Sequence, residues 1–293
     1  MKRRILSSLM ALVLVFGLLP ATAFAAEGES TTPAVYVSSK GNDTAGNGSE
    51  DNPYATLAKA VKAAKNGATI YVMSNLTMTE CAWYYNKNLT IASLGENAFT
   101  VTRKDGFETL SDTARSWYNP AMIEVQGNQE GAECGLTLTN IILDDGGKHE
   151  GDVFAQAISG EGKVDNRIYV QDAIVASNAT VPCTITLGEG AILRNFGGMS
   201  AVRVTEKAKL VMESGSKIED TTVTDRVKGP SGSVGPAGAI WVQGASITME
   251  KGSEISNIIG RAVYADGGKA TIGGIISGIT GNANMWQGED GTA

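Results

Sequence analysis

Histidine is almost absent from this chain, and charged residues, aromatic residues and proline are scarce. Of 293 residues, one is histidine (His149), seven are proline, 6% are aromatic and 19% are charged. A histidine-based catalytic triad would have to use His149, and no nucleophile-elbow sequence accompanies it. The formal net charge of -7 disfavours nucleic acid and anionic membranes as partners, because proteins bind both through basic patches.

Cysteine is also rare, with only Cys81, Cys134 and Cys183 in the sequence. An odd number leaves at least one thiol outside any intrachain disulfide, and none belongs to a C-x-x-C pair of the kind that binds zinc. The spacings of 53 and 49 residues are each close to two lengths of the repeat described below. We therefore predict that the three cysteines occupy similar interior positions of a coil and pack as small apolar side chains.

Long apolar runs are missing except at the N-terminus. Three basic residues precede an apolar run at residues 5–19, which ends in small residues with an A-x-A pattern. A membrane anchor is the alternative, but the run is shorter than the roughly 20 residues that span a bilayer. We predict a signal peptide over residues 1–26, cleaved after Ala25 or Ala26. No later segment is apolar enough to span a membrane, so we expect a secreted or cell-surface protein without an integral membrane segment.

Residues 27–34 are predicted to be a flexible leader. Residues 35–73 then follow in the order strand, glycine- and asparagine-rich loop, amphipathic helix, glycine turn and strand. The helix is predicted from apolar residues at positions 57, 60, 61 and 64, the spacing of one helix face. The sequence VYVSSKGNDTAGNGSEDNPYATLAKAVKAAKNGATIYVM resembles the N-terminal cap of pectin-lyase-like parallel β-helix proteins. The resemblance implies a right-handed β-helix with a short capping helix. It implies little about chemistry, because this fold includes lyases, hydrolases, epimerases and adhesins.

A repeated pattern follows this segment. Each unit has a short stretch of alternating apolar and polar residues, then an acidic turn with glycine, then an isoleucine. The pattern occurs at residues 184–192, 209–218 and 246–255, offset by 25 and then 37 residues, and another unit starts at Thr271. The longer offset predicts an insertion at residues 226–235, which are rich in glycine and proline. The abundance of glycine, with 36 residues, fits strands connected by frequent turns.

A period of about 25 residues is typical of one coil of a β-helix. Leucine-rich repeats have a similar period, but the sequence shows neither their L-x-x-L-x-L frame nor an asparagine ladder. We predict an all-β, right-handed, single-stranded parallel β-helix over residues 74–293, with roughly eight or nine coils and a length of about 40 Å. Because no closing helix or polar cap precedes Ala293, we expect the β-helix to continue in a longer polypeptide.

An acidic, glycine-rich loop after a predicted strand is the candidate catalytic site. Asp145 and Asp152, assisted by Asp144, are the candidate carboxylates for glycoside hydrolysis, and His149 and Glu150 are candidate substrate-binding residues. The spacing of seven between Asp145 and Asp152 resembles that of the catalytic pair of β-helix lacto-N-biosidases. The alternative is ordinary turn chemistry in a solvated loop. No cofactor is expected, although the three aspartates are also a possible Ca²⁺ ligand set.

Aromatic residues cluster in the irregular early part of the chain and are candidate sugar-binding residues: Trp83, Tyr84, Tyr85, Trp117 and Tyr118. Exposed rings would stack on sugar faces, and buried rings would pack the irregular coils. Tyr84 and Tyr85 are adjacent, so only one of them can point inward from a strand. Both roles remain open.

The predicted function is therefore action on glycans, with a glycoside hydrolase first. The alternative is a non-catalytic surface adhesin whose coils act as a spacer. A polysaccharide lyase is third, because its basic candidates, Arg194, Arg203 and Arg261, have no acidic set nearby in sequence. The net negative charge also disfavours a polyanionic substrate.

Overall fold

A computed structural model of the protein describes residues 33–108, 121–146, 172–176, 181–198, 200–223, 227–228, 234–235 and 238–280. The predicted signal peptide at residues 1–26 lies outside these ranges. Among the helices in the described ranges, none has the length and apolar character needed to cross a membrane.

The described residues form one α-helix and 25 β-strands, numbered in chain order. The helix is α1 (Leu57–Ala63). The strands are β1 (Ala34–Val37), β2 (Thr69–Val72), β3 (Leu76–Glu80), β4 (Ala82–Tyr85), β5 (Asn88–Ser93), β6 (Phe99–Glu108), β7 (Ala121–Gln126), β8 (Gly135–Thr139), β9 (Ile141–Asp144), β10 (Asp172–Ala176), β11 (Cys183–Leu187), β12 (Ala191–Arg194), β13 (Gly197–Gly198), β14 (Val202–Thr205), β15 (Ala208–Met212), β16 (Lys217–Glu219), β17 (Thr222–Val223), β18 (Val227–Lys228), β19 (Val234–Gly235), β20 (Ile240–Gln243), β21 (Ser246–Met249), β22 (Glu254–Ser256), β23 (Val263–Asp266), β24 (Lys269–Ile272) and β25 (Ile275–Ser277).

Three all-parallel sheets contain most of these strands, and the chain visits them in a fixed order. Sheet A has the order β1-β2-β5-β8-β11-β15-β21-β24, sheet B has β3-β6-β9-β12-β16-β22-β25, and sheet C has β4-β7-β10-β14-β20-β23. One coil therefore takes one strand from each sheet in the order A, B, C. The prediction of an all-β fold built from parallel coils is confirmed.

The coils differ in length because some of them carry insertions. Equivalent positions on successive strands of sheet A are 47 residues apart between β5 and β8, 49 between β8 and β11, and 25 between β11 and β15. The two long coils contain residues 103–170, which break the repeat pattern in the sequence. The described strands from β2 onward thus form six complete coils and two strands of a seventh, fewer than the eight or nine predicted.

Apolar side chains fill the interior of the coils in register. In sheet B, Val101, Leu143, Leu193 and Ile218 stack above one another, and each is 0% exposed. Burial of such a side chain contributes about 1.5–3 kcal/mol. Successive side chains of a strand point alternately inward and outward. Because the strands are in register from coil to coil, the outward side chains of each sheet also form rows.

The turns from sheet B to sheet C contain a row of asparagine and aspartate. Asn195, Asp220 and Asn257 each follow a sheet B strand with φ of 61°, 51° and 56°, in the left-handed region that asparagine and aspartate tolerate. The Asn257 side-chain amide donates to Asp220 Oδ1 at 3.2 Å. This row occurs in the fourth to sixth coils, and the insertion between β16 and β20 makes its spacings of 25 and 37 residues unequal.

The predicted helix is confirmed as α1, and side chains from other elements stabilise both of its ends. Thr56 Oγ1 accepts from the Lys59 amide at 3.2 Å, and Asp43 Oδ2 accepts from the Thr56 hydroxyl at 2.7 Å. At the other end the Lys87 ammonium donates to the Ala64 carbonyl at 2.7 Å. The helix packs against β1 and β4.

Two of the three cysteines form a disulfide that the sequence did not predict. Cys134 and Cys183 begin successive sheet A segments, with their Cα atoms 4.7 Å apart, within the usual range for a disulfide. Their spacing of 49 residues is one enlarged coil, not two repeats. The remaining cysteine, Cys81, is buried before β4, at a different position in its coil, so the prediction of three similar positions holds for two of them.

Candidate functional site

Among the described residues of the second and third coils, no asparagine turn follows the sheet B strand. In the fourth coil, Asn195 takes the left-handed conformation and Phe196, 1% exposed, fills the corner. In the second and third coils Arg103 and Asp145 occupy the equivalent region. They lie two residues after the inward-facing Val101 and Leu143, and they are 5% and 1% exposed. Charged side chains are thus buried at this position in the two coils that carry the long insertions.

Arg103 and Asp145 form a buried ion pair. The Arg103 Nε atom lies 2.5 Å from Asp145 Oδ1, and the two side chains are 2% and 0% exposed. Burial lowers the pKa of Arg103, whereas the charge and hydrogen bond of Asp145 and the charge of Asp172 oppose that shift. The carboxylate of Asp145 is therefore committed to a structural ion pair and has no exposed surface for a substrate.

A second buried pair joins the third and fourth coils. Asp172 Oδ2 lies 3.1 Å from Arg203 Nη2, and the Ser200 hydroxyl donates to Asp172 Oδ1 at 2.5 Å. Burial raises the pKa of Asp172, and the charges of Arg203 and Arg103 act in the opposite direction. We call Arg103, Asp145, Asp172 and Arg203 the buried charge cluster. Its two positive and two negative side chains balance each other in the low-dielectric interior.

Asp144 differs from its neighbour because it lies on the outer face of sheet B. Its Oδ2 accepts from Arg194 Nε at 2.7 Å, and its Oδ1 accepts from the Asn195 side chain at 2.9 Å and the Gly146 amide at 2.8 Å. Burial alone would raise its pKa, but the hydrogen bonds from Asn195, Gly146 and Arg194 together lower it. Asp144 is thus an oriented, ionised carboxylate with a side chain 10% exposed.

The aromatic residues of β4 separate into an inner and an outer set. Tyr84 points inward at 3% exposure, and its hydroxyl donates to the Gly135 carbonyl at 2.6 Å. Trp83 is 40% exposed on the outer face, and its ring meets Tyr85 edge-on at 5.6 Å. The register places Trp83 beside Glu124 and Tyr85 beside Gln126 of the next coil. We call these four outer residues the Trp83 patch.

Within the Trp83 patch the polar groups are already arranged. The side-chain amide of Gln126 donates to the carboxylate of Glu124, and Glu124 is 4% exposed. The partly exposed indole ring can pack against the apolar face of a sugar. The half-buried Gln126 amide, which the buried Glu124 carboxylate orients, can hydrogen-bond a sugar hydroxyl.

The structure brings only part of the predicted site together. Asp144 and Asp145 are adjacent in sequence, but one faces outward and the other inward. The remaining predicted site residues, Asp152, His149, Glu150, Trp117 and Tyr118, lie outside the described residues. No cluster of three or more histidine, cysteine or acidic side chains suited to a metal occurs in the described ranges.

Sequence reasoning missed Arg103 and Asp172, and it considered Arg203 only as a basic candidate of a polysaccharide lyase. The signal for Arg103 was strand alternation, since Val101 and Arg103 must share one face of β6. Asp172 and Arg203 could not be paired from sequence, because the 27 residues between β9 and β10 conceal the coil position that Asp172 occupies. No protein-family model matches the chain, and no curated protein is significantly similar to it.

Proposed function

We propose that this protein is exported and binds glycans through the Trp83 patch. The observation that carries the proposal is the 40% exposure of the Trp83 ring beside Tyr85, Glu124 and Gln126. Large aromatic side chains are ordinarily well buried, and an exposed indole flanked by fixed hydrogen-bonding groups is typical of sites that bind sugars by stacking.

The proposed fold in full is a right-handed parallel β-helix of the pectin-lyase-like kind, with α1 as its cap. Crossovers between parallel strands are right-handed in nearly all proteins, and this supports the assignment of hand. Leu57, Ala60 and Val61 on α1 are buried, and the helix contacts β1 and β4. These contacts support a capping role, since the first coil would otherwise present an open apolar end.

Export is supported by two independent features. The basic and apolar N-terminal segment has the pattern of a signal peptide. The Cys134–Cys183 disulfide is a bond that persists in oxidising compartments and is rare in the cytosol. We therefore place the mature protein outside the cytoplasm, either secreted or on the cell surface.

The binding proposal is tested with Trp83→Ala on a glycan array and by titration with the oligosaccharides that bind. Loss of the ring should weaken binding at least about tenfold, or about 1.4 kcal/mol, whereas Trp83→Phe should retain most of it. Ile259→Ala is the matched control, because Ile259 is an apolar side chain with 50% exposure. Unchanged binding by Trp83→Ala, or an equal loss in Ile259→Ala, would contradict the proposal.

Glycoside hydrolysis is a second candidate, and the contacts of Asp144 favour it. A catalytic carboxylate must be oriented and in the required protonation state, and Asp144 is held ionised by Arg194, Asn195 and Gly146. In this proposal Asp144, rather than the fully buried Asp145, acts with Asp152. The polysaccharide lyase alternative is disfavoured, because Arg194 and Arg203 are paired with Asp144 and Asp172.

Hydrolysis is tested by product analysis with the oligosaccharides that the array identifies. Asp144→Asn and Asp152→Asn should each abolish cleavage while leaving binding to the Trp83 patch intact. Asp51→Asn, an exposed loop substitution, is the control. Full cleavage by both variants would rule out this pair. Binding without any cleavage by the wild type would instead identify a non-catalytic adhesin.

A further inference from the structure

The outer face of sheet A carries a row of threonines that runs through the coils. The strand register aligns one outward residue from each of the eight described strands of sheet A, and six of these residues are threonine. In order along the sheet they are Ala34, Thr69, Thr90, Thr137, Thr186, Val211, Thr248 and Thr271. Neighbouring positions are about 4.8 Å apart, the spacing of paired strands. We call this the threonine row.

The corresponding rows on the other two sheets have mixed chemistry. On sheet B the row is Thr77, Thr102, Asp144, Arg194, Glu219, Ser256 and Ser277. On sheet C it is Trp83, Glu124, Val175, Arg203, Trp241 and Tyr264. Threonine favours strands and stacks well against itself, but that preference applies equally to all three sheets. The predominance of threonine in the sheet A row therefore requires a further reason.

The row is partly exposed: Thr271 is exposed, and the other five threonines are half-buried. The insertions at residues 109–120, 147–171 and 224–237 all lie between a sheet B strand and a sheet C strand, so they start on other sides of the coil. Thr184 and Lys209 in the neighbouring outward row are exposed. At the N-terminal end, Tyr36 and Tyr71 stack on the same face with ring centroids 5.4 Å apart.

We propose that the threonine row binds an ordered, insoluble, neutral polysaccharide whose chains lie along the row. Every coil from β2 to β24 except that of β15, which has Val211, presents one hydroxyl in the row. A hydroxyl can both donate and accept a hydrogen bond, and the strand spacing is near that of successive sugars in an extended chain. The row carries no charge, which matches a neutral polymer and not a polyanion. The tyrosine pair provides aromatic rings for sugar faces, and this distinguishes a polysaccharide from an ice surface as the partner. Trp83 lies on sheet C, so the inference does not rest on the proposed function.

The test is retention of the purified protein on microcrystalline cellulose and on chitin. The variant Thr137→Val/Thr186→Val/Thr248→Val removes three hydroxyls but keeps the branched side-chain shape that strands favour. It should lower the affinity for the solid about tenfold, because each lost hydrogen bond contributes a modest net amount. The matched control is Thr77→Val/Thr102→Val, which makes the same change on the outer face of sheet B and should bind like the wild type.

A second variant separates hydroxyl groups from folding. Thr137→Ser/Thr186→Ser/Thr248→Ser keeps the hydroxyls and should retain binding even if its urea midpoint falls. The proposal is overturned if the wild type binds neither solid, if the valine variant binds like the wild type, or if the sheet B control loses as much. Retention by growing ice with no retention by either polysaccharide would also overturn it. Because Trp83→Ala should still bind the solids, failure of this inference is distinguishable from failure of the Trp83 proposal.

Discussion

Replacing Asp145 by asparagine should destabilise the protein by about 3 kcal/mol. Removal of one partner from a buried ion pair costs about 3–5 kcal/mol, because the other charge is left in the interior without compensation. Arg103 would retain the attraction of Asp172, which also acts on it, so we expect the lower end of that range. The replacement keeps the side-chain volume, so the loss reports charge and not packing.

The double variant Arg103→Met/Asp145→Leu separates the two effects further. Replacing a buried ion pair by apolar side chains of similar volume is often neutral or stabilising. Asp172 would keep Arg203 at 3.1 Å and the Ser200 hydroxyl at 2.5 Å, so no carboxylate would be left alone. We therefore expect the double variant to lie within about 1 kcal/mol of the wild type.

Urea unfolding followed by tryptophan fluorescence and circular dichroism is the assay, since coincident transitions test the two-state assumption. Lys217→Met is the control, because its pair with Glu254 is 42% and 31% exposed and such pairs contribute about 0–1 kcal/mol. If Asp145→Asn lay within about 1 kcal/mol of the wild type, the buried charge would not be important. A double variant as unstable as the single one would assign the effect to packing.

Three further changes have defined outcomes. Cys134→Ser/Cys183→Ser should lower the free energy of unfolding by about 4 kcal/mol, given a closed loop of about 50 residues, and reductant should then have no further effect; an equal response of the variant and the wild type to reductant would contradict this. Lys87→Met should cost about 1 kcal/mol in urea, because the ammonium stabilises the carbonyl end of α1, and an unchanged midpoint would show that it does not. The pKa of Asp144 is lower in the folded protein than in the unfolded chain. The ionised side chain therefore contributes fully to the free energy of unfolding above the unfolded pKa of about 3.9. That contribution is lost as the pH falls through the folded-state pKa. Asp144→Asn should therefore reduce the loss of stability in acid, and parallel pH curves would count against the assigned pKa shift.

Several elements could be predicted because local sequence determines them. The helix α1 follows from an apolar stripe with a capping threonine, and the sheet A strands follow from alternation in segments such as residues 184–187. Both signals span only a few neighbouring residues. The parallel arrangement of coils follows from the repeat of these segments, since equal spacing in sequence stacks equal positions in space.

The disulfide and the buried charge cluster could not be predicted, because they depend on register between coils. Two coils of 47 and 49 residues are indistinguishable in sequence from four coils of about 25, and only the register places Cys134 beside Cys183. Arg103 and Asp145 occupy inward positions, yet charged residues are rarely buried, so sequence reasoning considered Asp145 as a catalytic or solvated loop carboxylate and not as a buried one.

The buried charge cluster is better explained by the path of the chain than by stability. Apolar residues such as Phe196 fill the same corner in the fourth coil, and they would stabilise the second and third coils at least as well. What differs there is that Arg103 and Asp145 stand at the position that Asn195 occupies in the fourth coil, on the chain segments that lead into the two long insertions. We infer that the paired charges keep β6 and the end of β9 in one register ahead of the insertions that follow them.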